Sequence, residues 1–174
     1  MTASWTLVRL RADHPVDTFT SGTRPGAAEI DAYLRDSALI EQQQHLAAVW
    51  VVEDAAAAPG DPGIVGFFTL SPVSVRVDGA VLTSFGIAAP YRTIGGWLLG
   101  RMGLAVRHQG QDLGSRLVAA AIRKAKDVRD DIAGPLLVVD PKNDSLLQWY
   151  LRLDFGFRRV SPGDPRMRRL ALKL

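Results

Sequence analysis

The sequence predicts an α/β fold in one domain covering residues 1–174, on three observations. Short apolar segments with the composition of strands alternate along the chain with segments that carry one apolar stripe at helical spacing. A chain of 174 residues is long enough to bury roughly 70% of its unfolded surface in a single core. Near Gly110, an apolar run passes through a glycine turn directly into a long amphipathic segment. We therefore expect one sheet covered by helices.

The part of the chain before residue 85 is predicted to hold five strands and one long helix. Apolar residues recur every three or four positions from Ala27 to about Gln43, which indicates a helix with one buried face. The segment from Ala55 to Gly63 has the composition of a flexible surface loop, and Asp78-Gly79 favours a hairpin turn. The strands are expected at Trp5–Leu10, Leu46–Val52, Ile64–Leu70, Val73–Val77 and Ala80–Leu82.

The second part is predicted to hold the central strand and two helices. The segment from Phe85 to Gly96 is irregular and glycine-rich. From Trp97 to Val106, most residues on both faces of the predicted strand are apolar, as expected for a strand that is covered on both sides. A side-chain cap from Asn143, Asp144 or Ser145 is expected to begin the second helix. The helices are Leu113–Val128 and Ser145–Leu153, and the remaining strands are Leu136–Val139, Phe157–Val160 and Met167–Leu172.

Composition narrows the classes of function. The sequence has no cysteine, which excludes thiol nucleophiles, disulfides and cysteine metal sites. It has no basic N-terminal segment followed by an apolar run, and no apolar window near 18 residues. His14 and His45 are isolated and do not suggest a metal site. We therefore expect a cytoplasmic protein with no membrane segment and no metal.

Charge is divided unevenly along the chain. Up to Pro90 there are 5 Lys and Arg against 10 Asp and Glu, and after it 16 against 8, so the two parts carry −5 and +8. Such asymmetry can mark a surface for an anionic ligand, a nucleic acid or an acidic partner. Ordinary solvated charges on helix and strand faces account for it equally well.

The glycine turn has the features of an anion site. Gly110 and Gly114 allow the backbone to approach a ligand closely, and the first turn of the following helix leaves about four N–H donors without intrahelical partners. The helix dipole adds positive potential there, which suits a phosphate or pyrophosphate. A tight connection without a ligand is the alternative. The Gly-x-Gly-x-x-Gly pattern is incomplete and the Walker A lysine and serine are absent, which argues against dinucleotides and nucleoside triphosphates.

The segment Arg107-His-Gln-Gly110-Gln-Asp112-Leu-Gly114 resembles the acetyl-CoA pyrophosphate loop of GCN5-related N-acetyltransferases (GNAT), commonly Gln/Arg-x-x-Gly-x-Gly/Ala, with Asp112 at a position that usually holds glycine or alanine. Further segments fall in the order and spacing of the toxin-type branch of this family. They begin at Ile64, Leu99, Leu136 and Gln148, and the last extends through Gly156-Phe157. The resemblance implies a GNAT-like mixed, mainly antiparallel, twisted sheet with helices on both faces and a splay between the Trp97 and Leu136 strands, where acetyl-CoA enters.

What the resemblance implies about activity is specific. Members of this branch transfer an acetyl group from acetyl-CoA to the α-amino group of aminoacyl-tRNA, and a small ribbon-helix-helix antitoxin holds them in check. We accordingly expect acetyl-CoA as co-substrate, aminoacyl-tRNA and such an antitoxin as partners, and we allow for a homodimer. Two alternatives stay open: acetylation of a small-molecule or peptide amine, and acyl-CoA binding without turnover.

The resemblance also assigns roles to residues. Tyr150 is the expected general acid for the departing CoA thiolate, and a phenol with a pKa near ~10 suits this role, although a packing tyrosine is the alternative. Arg101 is the preferred contact for the acceptor, and other basic candidates for RNA contact are Arg116, Arg123, Lys124, Arg152, Arg158 and Arg159. The expected contacts to acetyl-CoA, largely through backbone groups, are Leu104, Val106, Arg107, Gln109, Gly110, Asp112, Gly114, Ser115 and Asn143.

The sequence departs from the branch in two further places and lacks an evident base. Thr20-Ser21-Gly22 stands where the branch usually has Asp-Cys-Gly, and five residues rather than three separate Tyr150 from Gly156. No glutamate lies between Gly100 and Val128. An α-amino group, with a pKa near ~7.7–8.0 against about 10.4 for lysine, is partly neutral at pH 7 and needs no strong base. The chemistry therefore favours an α-amine over a lysine side chain.

Overall fold

A computed structural model describes residues 5–54 and 63–174, and within these the chain forms one seven-stranded sheet. Most of the predicted loop from Ala55 to Gly63 lies outside the described residues. The strands are β1 (Trp5–Arg9), β2 (Ala48–Asp54), β3 (Ile64–Arg76), β4 (Thr93–Leu104), β5 (Leu136–Val139), β6 (Arg158–Arg159) and β7 (Leu170–Lys173). Their order in the sheet is β1-β2-β3-β4-β5-β7-β6.

The sheet is mixed and mainly antiparallel, which confirms the predicted fold class. The pairs β1/β2, β2/β3, β5/β7 and β6/β7 are antiparallel, whereas β4 and β5 are parallel. The parallel pairing joins Gly96 with Leu136 and continues to Leu99 with Val139, where β5 ends. The splay predicted between these two strands therefore does not lie within the paired residues Gly96–Leu99.

Five α-helices lie among the described residues, and the three predicted helical regions are all helical. The helices are α1 (Ala27–Asp36), α2 (Ala38–Gln43), α3 (Gly79–Ser84), α4 (Leu113–Arg129) and α5 (Asp144–Arg152). Short 3-10 turns lie at Val16–Thr18 and Val106–His108. No helix in residues 5–54 and 63–174 is long and apolar enough to span a membrane.

The chain forms two compact units, each with a core of its own. The first comprises the described residues up to Ser71 together with Arg101–Ala121, and the second comprises Pro72–Gly100 and Ile122–Leu174. The first core gathers side chains from β2, β3 and α1, including Leu34, Val49, Val51, Ile64 and Phe67. The second gathers side chains from β3, α3, β5 and β7, including Val75, Leu82, Leu136, Val138 and Ala171. Each unit is stabilised by apolar burial.

The prediction of a single helix from Ala27 to about Gln43 is wrong in one respect, because the helix breaks at Ser37. Ser37 has φ −125° and ψ −33°, outside helical geometry. The apolar stripe continues across the break, so periodicity does not reveal it. The Tyr33 hydroxyl donates a 2.7 Å hydrogen bond to Glu41 and thereby joins α1 to α2.

The predicted strand at Ala80–Leu82 is also wrong, since these residues lie in helix α3. Asp78 is extended, and its carbonyl accepts hydrogen bonds of 3.0 Å from the N–H groups of both Val81 and Leu82. Val81 and Leu82 are neighbours and are both buried, which a strand with one covered face does not allow. The Asp78-Gly79 pair therefore begins a helix here instead of a hairpin.

Two strands are longer than predicted. The predicted strands Ile64–Leu70 and Val73–Val77 join, except for Val77 itself, into the single strand β3, and β4 begins at Thr93, within a segment predicted to be irregular. A Cβ atom at Gly96 would lie 2.6 Å from the Leu136 carbonyl oxygen. Gly96 is thus required for the close approach of β5. The pair Gly95-Gly96, which suggests a loop in the sequence, therefore lies in the interior of a strand.

Candidate active site

The predicted pyrophosphate loop lies between the end of β4 and the start of α4, in the first unit. After Leu104 the chain makes the short 3-10 turn, and Gly110 then adopts φ +76°. A Cβ atom placed at Gly110 would meet no atom within 4 Å. Glycine is therefore favoured at this position by its left-handed backbone conformation and not by a lack of space.

Asp112 is the second left-handed residue of the loop, with φ +56°. Aspartate is one of the few residues other than glycine that adopt this conformation at modest cost. The Asp112 carbonyl accepts a 2.7 Å hydrogen bond from the Ser115 hydroxyl in the first turn of α4. Asp112 therefore keeps the backbone path of a glycine while adding an exposed carboxylate to the loop.

Substituting Asp112 by glycine is expected to tighten acetyl-CoA binding several-fold. Glycine relieves the left-handed strain, and removal of a charge about 4 Å from a phosphate in water is worth about 1 kcal/mol, roughly fivefold. Asp112→Asn also tolerates this backbone conformation, so its effect on binding measures the removal of the charge alone. Calorimetry at low and high salt measures both variants, and the gain of the Asn variant should shrink at high salt. Unchanged or weaker binding by both would refute this role of the carboxylate.

Gln109 and Val106 use hydrogen-bond donors within the protein itself. The Gln109 side-chain amide donates to the carbonyl oxygens of Ser21 (2.7 Å) and Leu104 (3.1 Å). The Val106 N–H donates to the Thr20 carbonyl at 2.9 Å, and the Val106 side chain is exposed. The predicted contact from Val106 to acetyl-CoA therefore cannot use its N–H while this bond stands. The link from the loop to Ser21 has no signal in the local sequence pattern.

The other loop residues divide into exposed and anchored positions. Leu113 is buried and fixes the start of α4, while Gly114 and Ser115 are half-buried in its first turn. Arg107 is exposed and donates a 3.0 Å hydrogen bond to the ring of His108. The His108 ring in turn meets Trp5 edge to face, with ring centroids 5.8 Å apart.

Tyr150 lies on α5, in the second unit, with only 7% of its surface exposed. Its ring packs edge to face on Trp149 and Phe157, with centroid distances of 4.8 and 5.4 Å. Gly156, at φ +87°, turns the chain between α5 and Phe157. Burial raises the pKa of Tyr150 above its usual value. The phenol is therefore a proton donor at neutral pH.

Asn143 is the N-cap of α5. Its Oδ1 atom accepts a 2.9 Å hydrogen bond from the Leu146 N–H. This confirms the capping role considered for Asn143. The cap uses one lone pair of this oxygen. The predicted contact from Asn143 to acetyl-CoA would therefore have to use the side-chain amide nitrogen or the remaining lone pair.

Arg101 lies on β4 within the first unit, and its side chain is held at the protein surface. The backbone N–H of Arg101 donates to the Thr69 hydroxyl at 2.8 Å, and the guanidinium lies 5.3 Å from the centroid of the Tyr33 ring. The pKa of Tyr33 is raised, chiefly by burial and to a lesser extent by the hydrogen bond to Glu41. Arg101 is exposed, so the ring orients its charge and leaves it accessible to an anion.

Histidine does not supply an obvious base. His14 is buried, its Nδ1 accepts the Arg11 N–H at 2.8 Å, and its Nε2 lies 2.7 Å from Glu53. This pairing assigns the proton to Nε2 and commits both ring nitrogens. Over residues 5–54 and 63–174, no three His, Asp or Glu side chains are grouped so as to hold a metal ion.

Comparison with known proteins gives a curated relative that matches most of the chain. The chain is 29% identical over 151 residues, 86% of its length and 81% of the relative's, to a tRNA-acetylating toxin of Mycobacterium tuberculosis. No protein-family model matches the sequence.

Solved structures show the same fold. AtaT complexed with acetyl-methionyl-tRNAfMet superposes with a TM-score of 0.81 at 18% identity, over 98% of this chain and 95% of AtaT. A tyrosine-to-phenylalanine mutant of the AtaT toxin, bound to acetyl-CoA and the C-terminus of the antitoxin AtaR, superposes with a TM-score of 0.73 at 17% identity, over 97% and 92%. The chain is thus a homologue of a tRNA-acetylating toxin and has the fold of the AtaT toxin, which confirms the family resemblance seen in its sequence.

Proposed function

We propose that residues 1–174 form one acetyl-CoA-dependent N-acetyltransferase domain that acts on the α-amino group of aminoacyl-tRNA, as the toxin of a toxin–antitoxin pair. The observation that carries the proposal is the 29% identity with a tRNA-acetylating toxin across 86% of the chain. Because the proposed substrates, acetyl-CoA and charged tRNA, are molecules of the cytoplasm, the proposal includes action there.

The loop supports the binding of acetyl-CoA. Two left-handed residues, Gly110 and Asp112, bring the chain from β4 into α4, whose first turn has N–H groups without partners inside the helix. These donors and the helix dipole suit the pyrophosphate. Arg107 is placed to add charge beside them.

Tyr150 supports direct transfer. The amine nitrogen bonds to the acetyl carbonyl carbon as the carbon–sulfur bond breaks, and the Tyr150 hydroxyl donates its proton to the departing thiolate sulfur. The amine loses its own proton to water. The raised pKa of Tyr150 keeps the donor protonated throughout the neutral range.

The rate is expected to rise with pH from about 6.5 to 8.5, because an α-amine with a pKa near ~7.7–8.0 gains its nucleophilic neutral form there. A general acid acts in its protonated form, so a pKa raised by burial extends the active range of Tyr150 upward. Initial rates with aminoacyl-tRNA across this range provide the measurement. A rate that falls over the same interval would contradict this assignment of the acid and the amine.

Arg101 is assigned to the tRNA acceptor, because it is an exposed cation oriented on an aromatic ring. Arg101→Ala is expected to raise the KM for aminoacyl-tRNA, leave the KM for acetyl-CoA unchanged, and reduce the salt slope of tRNA binding by about 1. Arg166→Ala is the matched control, since Arg166 is highly exposed and pairs only locally with Asp164. Equal tRNA affinity and salt slope in the Arg101 variant and the wild type would remove Arg101 from the acceptor site.

The test of the proposed function is transfer of labelled acetyl from acetyl-CoA to charged tRNA by the purified protein. Label that appears in tRNA and is released by mild-base deacylation supports the proposal. Label found only on small-molecule or peptide amines would favour the first alternative. Acyl-CoA binding with no transfer to any amine would favour a non-catalytic module.

The partner proposed for regulation is a ribbon-helix-helix antitoxin. AtaT, whose fold the chain shares, has been solved with the C-terminus of its antitoxin AtaR. An adjacent upstream reading frame encoding a small ribbon-helix-helix protein, whose product suppresses transfer to tRNA, would support this part. An active chain without such a neighbour would be an acetyltransferase outside a toxin–antitoxin pair.

A further inference from the structure

The segment Thr20–Gly22 braces the turn that leads into the proposed pyrophosphate loop. The Thr20 carbonyl accepts the Val106 N–H at 2.9 Å, and the Ser21 carbonyl accepts the Gln109 side-chain amide at 2.7 Å. Gly22, at φ +97°, packs so closely that a Cβ atom there would lie 3.2 Å from Val106 Cγ2. Two hydrogen bonds and one packing contact thus join the segment to the loop.

The brace is itself fixed by one carboxylate. Oδ1 of Asp31, on α1, accepts both the Ser21 N–H at 2.9 Å and the Ser21 hydroxyl at 2.6 Å. The Ala27 carbonyl lies 3.3 Å from the same hydroxyl and is the weaker acceptor. Ser21 is buried, so hydrogen bonds to a charged acceptor there are stronger than exposed ones. Asp31 therefore sets the position of the Ser21 carbonyl.

We propose that Asp31 is a positioning residue for acetyl-CoA binding, acting through Ser21 and Gln109 to hold the pyrophosphate loop in its binding conformation. The inference rests on the proposed function. The Gln109 amide also donates to the Leu104 carbonyl, so it ties the end of β4 to the brace. Without Asp31, Ser21 loses this fixed acceptor. The loop must then become ordered when the pyrophosphate binds, and the entropy lost in that ordering weakens the affinity.

The test uses the full chain, with calorimetry for CoA and steady-state kinetics with acetyl-CoA as the varied substrate. Asp31→Ala should raise the CoA Kd and the acetyl-CoA KM about tenfold, with kcat within about twofold, because the brace affects binding of a remote group. Asp31→Asn retains the Oδ1 acceptor and should restore affinity to within about threefold. Asp36→Ala is the matched control on the same helix, since Asp36 is exposed and pairs with neighbouring Arg35.

A double-mutant cycle separates positioning from general loss of stability. Gln109→Met removes the amide at similar size, and in that background Asp31→Ala should cost less than about threefold in CoA affinity. Independent, additive losses would overturn the proposal, as would wild-type CoA affinity in Asp31→Ala. A wild-type protein that binds CoA but acetylates no amine would overturn the proposed function alone, while one that does not bind CoA would overturn both.

Discussion

Replacing Tyr150 by phenylalanine is expected to lower turnover about 10²–10⁴-fold, the usual contribution of general acid–base catalysis, and to leave acetyl-CoA affinity unchanged. The structure makes this substitution selective. Tyr150 is 7% exposed and its ring is packed edge to face on Trp149 and Phe157, so phenylalanine fills the same space. Only the hydroxyl is lost. A fall in kcat with unchanged KM for acetyl-CoA identifies an interaction made in the transition state.

Tyr91→Phe is the matched control for this experiment. Tyr91 is 62% exposed and loses the same hydroxyl, so its variant should retain wild-type turnover. Thermal unfolding of both variants checks that folding is preserved. Turnover of Tyr150→Phe within about threefold of wild type would remove Tyr150 from the chemistry, because such a change is far below a general acid's contribution, and would leave it as a packing residue of α5.

The parts of the fold that sequence patterns predict well are those in which local chemistry and burial agree. Strand β5 has the predicted bounds, since a short run of branched apolar residues suits a strand buried on both faces. Helix α4 begins at Leu113 as predicted, because an apolar stripe starts directly after the turn. The cap at Asn143 follows from the preference of asparagine for that position.

The errors arise where tertiary contacts outweigh local preference. Asp78-Gly79 suits a hairpin in isolation, but burial of both Val81 and Leu82 favours a helix. Gly96 resembles loop glycine, but it is the residue over which the Leu136 backbone passes. In both cases the local structure is determined by packing against residues that are distant in the sequence.

The family pattern agrees with the backbone of the predicted loop but does not predict the contacts that support that loop. A family pattern places Gly110 and Asp112, and both are left-handed in the structure. The bond from Gln109 to Ser21 spans 88 residues, and the bond from Ser21 to Asp31 spans 10. A single sequence carries no signal for such pairs. The departure at Thr20-Ser21-Gly22 was visible, but its meaning appears only through these contacts.

Replacing Gly110 by aspartate is expected to weaken acetyl-CoA binding by a factor on the order of a hundred or more. The new carboxylate would stand where the backbone is expected to contact the pyrophosphate and displace water, and unit charges 4 Å apart at an effective dielectric of 20 repel by about 4 kcal/mol, against about 1 kcal/mol in water for the solvated Asp112 carboxylate. Steric conflict within the fold is not the reason, because a Cβ atom at Gly110 meets nothing within 4 Å. The φ of +76° adds a modest cost that aspartate tolerates, as Asp112 does in the same loop. Gly110 is also a position that the acetyltransferase loop pattern keeps as glycine, where the backbone is expected to approach the pyrophosphate.

Gly110→Asn separates charge from shape, because asparagine matches aspartate in size and in tolerance of left-handed backbone. We expect the asparagine variant to lose less than about tenfold in CoA affinity measured by calorimetry, and the difference from the aspartate variant to shrink at high salt. Gly163→Asp is the positional control, since a Cβ atom at Gly163 also meets nothing within 4 Å and Gly163 lies in the turn between β6 and β7. If Gly110→Asp binds CoA as the wild type does, the pyrophosphate does not lie at this loop, and the assignment of the loop fails even if the protein acetylates tRNA.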